Sequence, residues 1–73
     1  MRVFHINYFN EKTVPYFGTL DGAIDYAELM ARNYALCYRG SIVIADEYGN
    51  VYAQQDWVTN EDGSSEPLEW HRL

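Results

Sequence analysis

One stretch of this sequence carries the three-to-four-residue spacing of a buried helical stripe, and the segments around it alternate in twos or read as turns. Leu20, Ala23, Ile24, Ala27, Met30, Ala31 and Tyr34 recur at i, i+3, i+4 and i+7, while Asp21, Asp25, Glu28 and Arg32 gather on the opposite side. Thr19 stands where an N-cap belongs, and Asp21 and Asp25 follow it near the positive end of the helix dipole. Glu28 and Arg32 have the spacing of a favourable i, i+4 ion pair. Gly22 costs up to about 1 kcal/mol relative to Ala inside a helix, which predicts either a loose first turn or a close approach by another part of the chain. A lone amphipathic helix must bury its stripe against something, so the remaining segments have to supply a sheet.

Arg2 to Phe9 alternates so that Phe4, Ile6 and Tyr8 share one face and Val3, His5, Asn7 and Phe9 the other, the signature of a strand. Asn10, Glu11 and Lys12 supply a turn. Thr13 to Phe17 returns as an edge strand or extended segment, because Pro15 cannot donate to a ladder. Ser41 to Ala45, rich in β-branched residues and bounded by Gly40 and a turn-forming run from Asp46 to Asn50, is the best candidate for a central strand. Val51 to Val58 follows as its hairpin partner, with Gln54, Gln55 and Asp56 expected to meet water. Residues 59–67 read as a polar acidic loop with Asp62-Gly63 and a Ser pair, and residues 68–73 as a last short strand carrying Trp70. The expectation is a single α+β domain over 1–73, one helix packed on one face of a small, mainly antiparallel sheet in the order β-(β)-α-β-β-(β). One sheet face is then left partly uncovered, a natural place for a partner or a second copy.

At 73 residues there is room for one modest core, since chains of this size bury only about 60% of the surface their unfolded form exposes. Aromatic residues offset the short length: seven Tyr, three Phe and two Trp each remove on the order of 150 to 250 Å² from water when buried. The single Cys37 cannot make an internal disulfide, and no apolar stretch approaches the roughly 20 residues that span a bilayer. A reducing, cytoplasmic setting is expected, without membrane insertion.

Charge is unevenly spread. Residues 1–40 hold four acids and four bases, whereas residues 41–73 hold seven acids against Arg72 alone, so the second segment carries the whole formal charge of -6. Its acids interleave with large rings: Asp46, Glu47 and Tyr48, then Tyr52, then Asp56 and Trp57, then Glu61 and Asp62. A solvated acidic surface that keeps a small protein soluble accounts for the charge, but not for the rings. Acids and rings together suit a protein interface facing a basic surface, and they disfavour direct binding to nucleic acid.

In size, charge and the clusters Asp46-Glu47-Tyr48, Asp56-Trp57 and Glu61-Asp62, the chain resembles the small acidic inhibitor proteins of phages and mobile elements, including anti-CRISPR proteins and other DNA mimics. The resemblance implies a stoichiometric, non-enzymatic inhibitor that occupies a basic, nucleic-acid-binding surface of a partner protein. No functional residue is carried over by position, because these families share no motif. On this reading Asp46, Glu47, Asp56, Glu61 and Asp62 supply charge, and Tyr48, Tyr52 and Trp57 anchor. The alternative is a structural module that self-associates through its sheet, as a homodimer.

Signals for chemistry are sparse. Cys37, His5 and His71 are the pieces available for a thiol nucleophile and its base, and three such ligands fall short of a structural zinc set. Asn60, Asp62, Gly63 and Glu69 occupy the third, fifth, sixth and twelfth places of a calcium loop, but Val58 holds the first and Pro67 intrudes. The glycines form neither a phosphate-binding loop nor a dinucleotide fingerprint. No cofactor or metal is expected.

Overall fold

The alternation of Phe4, Ile6 and Tyr8 places these three side chains in the centre of the core, all essentially inaccessible to solvent. The computed structural model describes residues 2–34 and 38–73; the side chain of Tyr34 and all of Cys37, with the sequence readings made for them, lie outside the described residues. Among those residues the order is β1 (Arg2–Tyr8), β2 (Lys12–Gly18), α1 (Leu20–Tyr34), β3 (Gly40–Ala45), β4 (Val51–Thr59) and β5 (Ser65–Arg72). The strands form one antiparallel sheet in the order β2-β1-β3-β4-β5. The expected α+β class with one helix on one face is what the chain forms, and the segment from Ser41 to Ala45 takes the central place.

The helix crosses from the edge strand β2 to β3 and packs on β1, β2 and β3. Ala23, Ala27 and Ala31 are buried with Ile24, and these small residues let the helix backbone lie close above Ile6, Ile42 and Ile44. Thr19 caps the helix as expected, its Oγ1 accepting the Gly22 N–H at 3.1 Å. The mid-helix glycine is explained by Tyr16. A Cβ on Gly22 would fall inside the Tyr16 hydroxyl, and the same ring lies 3.0 Å from the position of a Cβ on Gly18. Tyr16 therefore threads between two glycines and meets Tyr26 at a centroid distance of 5.3 Å.

Four sequence expectations are corrected. Phe9 leaves the face of Val3 and His5: at φ 57, with Asn10 at φ 60, it turns inward and is buried against the edges of the Tyr38 and Trp57 rings. Backbone in this left-handed region costs a non-glycine residue about 1 to 2 kcal/mol, which burial of the ring offsets. Gln55, expected to meet water, is 5% exposed, because its place on β4 pairs it with Ile42 and Trp70. The loop expected over 59–67 is shorter, since Thr59 ends β4 and Ser65 to Pro67 already belong to β5. Ladder pairing with β4 overrides the polar composition there, and Pro67 is tolerated because β5 is an edge strand. Glu28 does not pair with Arg32; its Oε1 accepts the Trp70 indole N–H at 2.7 Å, tying β5 to the helix.

The Tyr16 contact yields a test of the packing. Gly22→Ala lowers stability by about 1 to 2 kcal/mol despite the better helix propensity of Ala, and Tyr16→Phe in the same chain restores most of that loss. Urea unfolding of the two single variants and the double variant measures the coupling.

Candidate functional site

Successive strand residues point to opposite faces, so the register sorts the acidic and aromatic side chains into separate surfaces. On the helix side lie Phe4, Ile6, Tyr8, Ile42, Ile44, Ala53, Gln55, Trp57, Trp70 and Arg72. The helix-free face carries Val3, Phe17, Pro15 and His5, then Val43 and Ser41, then Gln54, Asp56, Val58, Glu66 and His71. Asp56 and Trp57, neighbours in sequence, are thus on opposite faces. Trp57 stacks on Tyr38 at 19° and 5.2 Å and donates its indole N–H to Gln55 Oε1 at 3.1 Å. Gln55 in turn donates to the Leu68 carbonyl at 3.0 Å, where β5 carries an extra residue in its register with β4.

Asp46, Glu47, Tyr48 and Tyr52 are brought together. With Arg2 and Val3 they line a recess of about 360 Å³ at one end of the sheet. Tyr52 reaches it from the irregular register between β3 and β4, its ring edge-on to Phe4 at 5.7 Å and under the Arg2 guanidinium at 5.4 Å. Glu61 and Asp62 occupy the turn at the other end. β4 separates the two turns with nine residues, roughly 30 Å at the rise of an extended strand. The eight candidate residues therefore do not form one patch: four share an end recess, two lie at the far turn, Asp56 is on the open face and Trp57 on the helix side.

Several of these carboxylates have internal duties. Asp46 Oδ1 accepts the N–H groups of Tyr48 and Asn50, each at 2.9 Å, and Oδ2 accepts the Asn50 amide at 2.9 Å. The Asn50 side chain, followed by its backbone and those of its neighbours, holds the Asp46 carboxyl below the usual aspartate range. Asp62 accepts the Ser64 hydroxyl at 2.6 Å and the Ser64 N–H at 2.9 Å, which lower its pKa in the same way. Both acids build the turns in which they sit. Asp56 accepts from the Ser41 hydroxyl and from the Gln54 amide, and these, with His71 nearby, lower its pKa as well. Glu47, Tyr48 and Glu61 are exposed, with Tyr48 83% accessible.

The Lys and Arg side chains are confined to one side of the sheet, whereas acids lie on both. All five Lys and Arg residues belong to the helix side. Arg2 lies over Tyr52, Lys12 pairs in register with Tyr8, Arg32 is on the helix, Arg39 lines a groove with Arg32, and Arg72 is ion-paired with Asp21. Among the described residues the open face holds Asp56 and Glu66 with no Lys or Arg. Its β2-β1-β3 half mixes Val3, Phe17, Pro15 and Val43 with the polar His5, Asn7, Thr13 and Ser41, Phe17 being 66% accessible beside Val3, and its β4-β5 half is acidic and polar. This division was hidden in the sequence because it depends on register, although the even-odd placement of Asp56 against Trp57 already separates those two. Among the described residues no three His, Cys, Asp or Glu side chains converge as metal ligands, and no helix is long and apolar enough to cross a membrane.

No family model, no curated protein and no solved structure matches this chain.

Two tests follow from these bonds. Asp46, Asp56 and Asp62 each have a folded pKa below the unfolded value of about 3.9. The stability they contribute is complete above that value and is lost as pH falls through the lower folded values. Thermal unfolding between neutral pH and pH ~2 shows this acid limb, and replacing all three with Asn flattens it. Gln55→Leu strands the Trp57 N–H and the Leu68 carbonyl, and urea unfolding registers a loss of about 1 to 3 kcal/mol.

Proposed function

We propose that this protein is a small, non-enzymatic inhibitor that lays the helix-free face of its sheet on a basic surface of a partner protein, of the kind built to hold nucleic acid. The observation that carries this reading is the segregation of charge: the bases are on the helix side, and the open face has Asp56 and Glu66 without a Lys or Arg beside them. Such a face attracts a basic surface and repels phosphate backbones, which suits competition with nucleic acid rather than binding to it.

The rest of the face fits the role. Val3, Phe17 and Val43 place an apolar area beside the acids, the mixture found at protein interfaces. Ser41 and Gln54 hold the Asp56 carboxylate in place before any partner arrives, so little side-chain freedom is lost on docking. Glu47 and Tyr48 at one end and Glu61 at the other stand at the rims, where charge governs encounter more than affinity. The acidic inhibitors of phages and mobile elements, including anti-CRISPR proteins, work by this kind of occupation.

Self-association through the sheet is less well supported. Both edge strands carry a proline, Pro15 in β2 and Pro67 in β5, which discourages strand addition. Two copies meeting through the open face would set acid against acid.

Affinity capture of host proteins by the full chain, at low and high salt, tests the reading. Capture is expected to fade with salt and to fall at least about tenfold for Asp56→Asn with Glu66→Lys, while the chain stays folded, its melting temperature lowered only by the weakened bonds to Ser41 and Gln54. Full capture by that double variant sinks the proposal.

A further inference from the structure

The groove between the last turn of α1 and the outer hairpin of β4 and β5 has a chemistry opposite to that of the open face. It encloses about 420 Å³, within the range of small-molecule sites and much larger than one phosphate needs. Arg32, Arg39, Tyr38, Trp57, Thr59 and Ser65 line it, and no carboxylate does. Two of the five bases of an acidic protein thus converge on one recess. Among the described residues neither guanidinium has a carboxylate within ion-pairing distance. Arg32 is left available because Glu28, its expected partner, is held by Trp70.

We propose that this groove binds a phosphate-bearing small molecule with a planar ring, of the nucleoside monophosphate class. The two guanidiniums supply forked donors that match phosphate oxygens. Thr59 and Ser65, paired across the end of the β4-β5 hairpin, add hydroxyls on the same wall. The flat wall is the stacked pair Tyr38 and Trp57. Trp57 is fixed from behind by Phe9 and by its bond to Gln55, so its ring is positioned before a ligand enters. A second recess of about 300 Å³ continues from Arg32, Trp57 and Ser65 toward Gln55, Pro67 and the Glu28 carboxylate, which Trp70 already engages, giving length for an uncharged sugar or ring beyond the phosphate. A monophosphate fits better than a simple carboxylate, because two guanidiniums and two hydroxyls match a dianion with three terminal oxygens. A long nucleic-acid strand fits worse, because the formal charge of -6 over the whole chain repels its further phosphates. This site is independent of the open face and of the inhibitor reading.

Titration calorimetry of the full chain with adenosine 5′-monophosphate, adenosine, inorganic phosphate and a 5′-phosphorylated single-stranded oligonucleotide tests the assignment, together with the two indole N–H signals in nuclear magnetic resonance. The nucleotide is expected to saturate and to shift the Trp57 signal more than the Trp70 signal, with adenosine and phosphate each at least about tenfold weaker. Arg32→Gln and Arg39→Gln are each expected to weaken it about tenfold without changing the melting temperature, since both side chains are exposed. Should Arg32→Gln unfold, Arg39→Gln outside the helix carries the test. Absence of saturable binding, undiminished affinity in the variants, or tighter binding of the oligonucleotide than of the nucleotide overturns the proposal.

Discussion

A single helix is too narrow for this sheet, and most of the molecule follows from that mismatch. A helix with its side chains is about 10 to 12 Å across, enough for two or three strands spaced about 4.8 Å apart. Here it covers β1, β2 and β3 and leaves β4 and β5 beyond its edge. The core proper is built under the helix from Phe4, Ile6, Tyr8, Ile42 and Ile44. The outer hairpin is secured by other means: Trp70 to Glu28, Arg72 to Asp21, and the chain from Trp57 through Gln55 to the Leu68 carbonyl. Large rings and a buried amide take the place of a second helix.

The same mismatch produces both candidate binding surfaces. Where the helix stops short of β4 and β5, the gap beside it becomes the groove lined by Arg32, Arg39 and Trp57. On the other side no layer among the described residues covers the sheet, and the side chains of Val3, Phe17, Val43, Asp56 and Glu66 face outward. The two surfaces carry opposite chemistry because α1 and the segment before β3 bring Arg32 and Arg39 to one side, while β-strand alternation sends Asp56 and Glu66 to the other. The bulk charge of -6 conceals this, since it sums a sheet face that has Asp56 and Glu66 but no Lys or Arg with a helix side that holds all five Lys and Arg residues beside acids of its own.

Much of the fold was legible locally. Ala23, Ile24, Ala27 and Ala31 of the stripe and the alternating Phe4, Ile6 and Tyr8 are buried as their spacing implies, Leu20 and Met30 are partly buried, and Thr19 caps the helix. Gly22 pointed to either a loose first turn or a close contact, and Tyr16 decides for the second. Phe9 departs from its alternation because its inward turn depends on a left-handed backbone and on two rings from distant segments. Helix spacing matches Glu28 with Arg32, yet the indole of Trp70, 42 positions away, holds it. The candidate site was legible as a list of residue types and not as a place. Asp46 and Asp62 proved to be turn builders, and the acids and rings divide among two ends and two faces.

By itself the sequence determined one helix, its buried stripe, the strands around it and an excess of acid after residue 40, because periodicity and charge are properties of neighbours along the chain. Strand order, the register that sends Asp56 outward and Trp57 inward, and the meeting of Arg32 with Arg39 were decided by tertiary structure. Those outcomes depend on which distant backbone pairs with which, and on how far one helix reaches across five strands.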